Sequence, residues 1–157
     1  RADPGRSRRR LAGGEMNRSI LAGLALLVAA PARPAQAQNI EPLVDRLTQA
    51  WNRADAGAIA SFASREGVSI EIGGMRVGSL PARQVGAALR RLFDCCETLA
   101  ARSGSPKIVG GSPKRAFVEI TWTTRARGTT VPERSTVFLG LSLEGDRWRV
   151  TEIRHIK

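Results

Sequence analysis

The 157-residue chain has no tyrosine, a single histidine and only two cysteines, which are adjacent. Each scarcity excludes something. Without a phenol, no Tyr hydroxyl can donate to a developing oxyanion. Without spaced cysteines there is no disulfide framework, so stability must come from packing. Cys95 and Cys96 can close a ring only with a distorted peptide geometry, and the expected arrangement is one thiol in the core with its neighbour facing out. A vicinal disulfide is the alternative. No His lies near them in the sequence, which argues against a metal site or a cysteine nucleophile. No cofactor is expected either. Aromatics make up 4% of the chain, so each one marks a position of interest.

What is present begins with an apolar stretch, Ile20 to Ala30, preceded by Met16 and Arg18 and followed by Ala35-Gln36-Ala37. Positive start, apolar middle and small residues at the end are the parts of a bacterial secretory signal peptide, expected over residues 16–37 with cleavage before Gln38. The run is shorter than the ~20 apolar residues needed to span a bilayer, so no transmembrane segment is expected in the mature chain. Residues 1–15 read as a non-native or disordered upstream extension; the other reading takes Ser7-Arg8-Arg9-Arg10-Leu11 as a twin-arginine export signal. The expected location is periplasmic or secreted, and the expected working part is one domain over residues 38–157.

Export also alters the charge. The whole chain carries a formal +11, but seven of its 25 basic and two of its 14 acidic residues precede Gln38, which leaves 18 basic and 12 acidic residues and a net charge of +6. Beyond Gln38 no basic run exceeds the pairs Arg90-Arg91 and Lys114-Arg115. They draw no stripe for phosphates to follow, so no nucleic-acid partner is expected.

Ile40, Leu43, Val44, Leu47 and Trp51 recur at the spacing of one helix face, with Arg46, Gln49 and Asn52 directed to water. Asp55 caps a second, shorter helix expected over Ala56 to Ala63. The period then becomes alternating. Val68, Ile70 and Ile72 precede Gly73-Gly74, which supply the positive-φ positions of a hairpin turn before Met75-Arg76-Val77 returns. Pro81 opens a third helix whose stripe is Val85, Ala88, Leu89, Leu92 and Phe93. Glu97 to Arg102 and Lys107 to Val109 read as one interrupted strand. Val118, Ile120 and Trp122 alternate in the next strand, and Val137, Leu139, Leu141 and Leu143 in the one after. In the last strand Trp148 and Val150 are out of phase with Ile153 and Ile156, and a β-bulge near Thr151-Glu152 accounts for the slip.

This order of elements resembles the nuclear-transport-factor-two-like superfamily, the cone-shaped α+β fold that includes ketosteroid isomerase. Ala50-Trp51-Asn52-Arg53-Ala54-Asp55 with Ile59 and Phe62 is similar to its opening pattern. Val68-Ser69-Ile70-Glu71-Ile72, Gly78, the helix from Pro81 to Phe93 and Gly145-Asp146-Arg147-Trp148-Arg149-Val150 resemble its small secreted members of unknown function. The resemblance implies an α+β fold with three N-terminal helices packed in a curved, mostly antiparallel sheet, a cone-shaped barrel open at one end. It also implies a homodimer paired through the outer sheet face, with Phe117, Phe138 and Ile153 as the exposed apolar residues.

Enzymes of that superfamily oppose a carboxylate or His to hydrogen-bond donors. The candidates here are Glu71, Glu119 and His155. His155 stands two residues from the last one and is expected at the surface. Glu71 and Glu119 sit between apolar neighbours, so they are pocket bases if the opposite sheet face lines the pocket and ordinary cross-strand partners if it faces water. The favoured reading is an exported module binding a small molecule or a protein without evident catalytic machinery, with Trp51, Phe62, Trp122 and Phe93 as pocket wall. Its rival is a small-substrate isomerase or lyase.

Overall fold

The computed structural model describes residues 39–157. The signal peptide over 16–37 and the extension over 1–15 lie outside the described residues. The elements are α1 (Glu41–Asn52), α2 (Ala56–Ala60), β1 (Val68–Ile72), β2 (Met75–Leu80), α3 (Ala82–Asp94), β3 (Cys96–Ser103), β4 (Lys107–Val109), β5 (Arg115–Ala126), β6 (Pro132–Glu144) and β7 (Arg147–Ile156). Among the described residues no helix is long and apolar enough to cross a membrane.

Local chemistry sets the helix limits. Proline within the first turn of α1 gives up an N–H that has no partner there in any case. Asp55 caps α2, its Oδ1 accepting from the Ala58 N–H at 2.9 Å. Helix α2 stops at Ala60, three residues earlier than its apolar pattern predicts, because the chain must turn there to reach β7. Across that turn Val150 N–H donates to Phe62 O and Ser64 N–H to Val150 O, each at 2.8 Å.

All seven strands join one mixed sheet in the order β2-β1-β7-β6-β5-β3, with β4 pairing β5 beside β3. Strands β1 and β7 run parallel and every other pair is antiparallel. The α+β class agrees with the sequence, but two parts of the expected arrangement are corrected. The three helices are not gathered at the N-terminus: α1 and α2 precede the hairpin, whereas α3 follows it, because Pro81 converts the end of β2 directly into a helix start. Nor is the sheet a closed barrel. Strand β2 forms one edge and β3 with β4 the other, and these two edges do not pair with each other. The interrupted strand is two strands on one edge, since β3 and β4 both pair with β5.

One face of the sheet packs on the helices. Val118, Ile120 and Trp122 of β5, Val137, Leu139 and Leu141 of β6, and Val150 and Ile153 of β7 are buried with Val44, Leu47 and Trp51 of α1 and Val85, Leu89 and Phe93 of α3. Each large side chain removed from water contributes about 1.5–3 kcal/mol before chain entropy is subtracted. Asn52, expected simply to face water, lies at the surface yet ties α1 to the sheet. Its Nδ2 donates to Ala101 O at 2.8 Å and its Oδ1 accepts from Ala101 N–H at 2.7 Å, next to the bulge between Thr98 and Ala100.

Candidate functional site

The site begins with the bulge in β7. Gly140 pairs with Glu152 and Leu141 with Val150, which leaves Thr151 as the extra residue, where the sequence pattern locates it. From Ile153 onward the inward positions are therefore 153 and 155. His155 is buried, 8% exposed, while Ile156 turns out to 45%. The expectation of a surface histidine is thus overturned, because β1 pairs with β7 as far as His155 and holds the strand end in place.

His155 stacks edge-on against Trp122, with centroids 5.3 Å apart and an interplanar angle of 70°. Its ring has no protein hydrogen-bond partner among the described residues, yet neither nitrogen is sealed from solvent. Both face hollows. The larger, about 830 Å³, lies between the hairpin, α3 and the end of β7; its apolar wall includes Ile70, Ile72, Met75, Val77, Leu80 and Leu92. Its polar side chains are Glu71, Arg91, Cys95, His155 and Lys157. A second hollow of about 380 Å³ shares Cys95, His155 and Lys157 and adds Cys96, Trp122, Thr124 and Glu133.

Burial, reinforced by the nearby Lys157 charge, holds the His155 pKa below its ordinary value. The imidazole is therefore neutral at neutral pH. Cys95 and Cys96 are free thiols with sulfurs 3.0 Å apart, and the Cys95 thiol donates to Leu92 O at 2.9 Å. Burial and the neighbouring Cys95 push the Cys96 thiol up to about 11, against smaller opposing effects of Thr124 and Lys157. A protonated thiol is a poor nucleophile. Among the described residues no group of three or more His, Cys, Asp or Glu side chains could hold a metal ion.

The aromatic residues named from the sequence do not share one wall. Trp51, Phe93 and Trp122 form a triangle of edge-to-face contacts at 5.4, 5.8 and 5.7 Å, and all three are buried. This cluster fills the interior that the resemblance left hollow; only Trp122 reaches a hollow, the smaller one. Phe62 is half-buried in a separate concavity beside Arg147, Trp148 and Arg149. Glu71 is on the groove but paired with Arg76 at 3.2 Å. Glu119 is exposed, opposite Phe138 across the strands. Of the residues expected to offer apolar surface, Ile153 is fully buried, Phe138 lies under the Arg154 guanidinium at 5.4 Å, and Phe117 is 39% exposed. Arg91, Cys95 and Lys157 were not singled out with His155. The signal was there in the bulge, since two residues past the inward Ile153 is 155.

No family model matches the chain, and no curated protein matches it. Solved structures do. A DUF4783 family protein from Bacteroides uniformis is similar over 72% of this chain and 94% of its own, with 12% identity and a TM-score of 0.60. A protein named Rd1NTF2_04 with long sheet is similar over 74% and 99%, with 15% identity and a TM-score of 0.59. An uncharacterized cystatin fold protein from Novosphingobium aromaticivorans is similar over 74% and 96%, with 17% identity and a TM-score of 0.54. At these identities the likeness establishes the fold alone.

Proposed function

We propose that this chain is an exported member of the nuclear-transport-factor-two-like superfamily that holds a small, mostly apolar molecule in the groove between β2, α3 and the end of β7. The observation that carries the reading is the groove itself. Its volume of about 830 Å³ falls within the roughly 300–1,000 Å³ of small-molecule sites, which are apolar with a few converging polar groups. Met75 and Val77 on its wall are 76% and 50% exposed, so an apolar guest would remove that surface from water. Pairing of two copies through the outer sheet face has weaker support, since Phe117 alone of the three expected residues leaves much apolar surface there.

Thermal shift with a series of ten- to sixteen-carbon alcohols and ketones tests the reading, because binding to the native state alone raises the melting temperature. Expected is a rise for some members that Val77→Glu, at an exposed wall position, abolishes. No rise for any member in the wild-type protein overturns it.

Proton transfer is the second reading, favoured by the neutral, unpartnered His155 between two hollows. It predicts that α-hydrogens of a bound cyclic ketone exchange with deuterated solvent, and that His155→Gln stops the exchange. Equal exchange in both proteins, followed by NMR, removes this reading. Glu71 is the less available base because Arg76 already occupies it.

A further inference from the structure

We infer that the groove takes an amphiphilic monocarboxylate, its carboxylate at the His155 end and its apolar chain along β2. The inference rests on the small-molecule reading above and adds the head-group chemistry. Three observations converge. First, the unpaired side-chain charge on the groove is cationic: Arg91 and Lys157 have no ion-pair partner among the described residues, and the one carboxylate side chain lining the groove, Glu71, is engaged by Arg76. Second, β2 contributes only apolar side chains, Met75, Val77 and Leu80, whereas the cationic and hydrogen-bonding groups Arg91, Cys95, His155 and Lys157 come from the end of α3 and the end of β7, beside the apolar Ala88, Leu92 and Ile156. Third, His155 is a more than nine-tenths buried polar side chain with no protein partner, and it lines the groove.

A cationic guest meets repulsion there and a neutral one leaves the charge unused. A carboxylate satisfies all three features: Arg91 offers a planar pair of N–H donors, Lys157 an ammonium, and the neutral His155 one N–H. Charge-assisted hydrogen bonds of this kind are the stronger class, while the tail gains by covering exposed Met75 and Val77.

The test compares dodecanoate, dodecanol and dodecyltrimethylammonium below their micelle concentrations, by calorimetry and thermal shift, on the wild-type protein, Arg91→Glu and Arg83→Glu. Arg83 is exposed on the same helix but does not line the groove, so Arg83→Glu repeats the charge change elsewhere. Expected is dodecanoate binding at least about tenfold tighter than dodecanol, with the advantage lost in Arg91→Glu and kept in Arg83→Glu. If dodecanol binds as tightly as dodecanoate, the head-group inference fails and the small-molecule reading survives. Equal loss in the two variants also overturns it, as a non-specific charge effect. If no probe binds, both readings fail. Sedimentation of these samples and of Val77→Glu covers the remaining occupant: a dimer that Val77→Glu dissociates and that dodecanoate does not disturb assigns the groove to a second copy and overturns the proposal.

Discussion

Two indoles of the core differ in one respect that matters energetically. Trp122 Nε1 donates to Thr98 Oγ1 at 3.1 Å, whereas Trp51 Nε1 is buried with no partner. Replacing either with Phe removes similar volume, but Trp51→Phe also removes an orphaned donor. Trp122→Phe should therefore be the more destabilising by about 1–3 kcal/mol, read from urea unfolding midpoints. His155 makes a second prediction at this scale. Its folded pKa is depressed by burial from an unfolded value near 6.5. Between those two values the unfolded state holds more protons, so stability rises with pH; it is lost as pH falls below 6.5 through the folded value. His155→Gln should flatten that part of the stability profile in melts between pH 4.5 and 7.5. Side-chain roles were legible here where a period fixed the face or, as at Asp55, a capping residue preceded a helix. Val118, Ile120 and Trp122 were placed correctly by alternation, while the Asn52 link to Ala101 depends on a contact 49 residues away that no local pattern encodes.

At the level of elements, the bulge in β7 depends on a glycine opposite it. A Cβ on Gly140 would sit 2.9 Å from Glu152 Cβ, closer than real contacts permit. Gly140→Ala should cost about 1–3 kcal/mol by overpacking and shift the His155 ring, seen as a change in its NMR resonances. An unchanged melting temperature and unchanged resonances would contradict this account. The bulge was legible because Val150 and Ile153 differ by three rather than two. The parallel pairing of β1 with β7 was not. Alternation in β1 reports which residues face the core, and it is silent about which neighbour supplies the hydrogen bonds.

For the whole molecule, one buried cluster includes residues from all three helices and from β1, β3, β5, β6 and β7. No part of the domain from residue 39 onward has a core of its own. Loss of tryptophan fluorescence, far-ultraviolet circular dichroism and near-ultraviolet circular dichroism should coincide in urea as a single transition; separated midpoints would show two folding units. The order of elements over this domain was readable because helical and alternating periods change cleanly at Val68 and Pro81. Closure of the sheet was not, since it depends on strand edges meeting across the molecule and the sequence marks no such meeting. The position of the hollow was equally hidden: the aromatics that looked like its lining fill the interior, and space is left instead beside a hairpin.

That hairpin joins the sheet through β1 alone, by its parallel pairing with β7, and β2 is exposed along nearly its whole length. A strand fastened on one side opens more readily than its interior neighbours. Under the proposed small-molecule reading, admission and release of a guest follow the breathing of residues 68–80. On that reading, dwell time in the groove becomes a kinetic property of one ribbon.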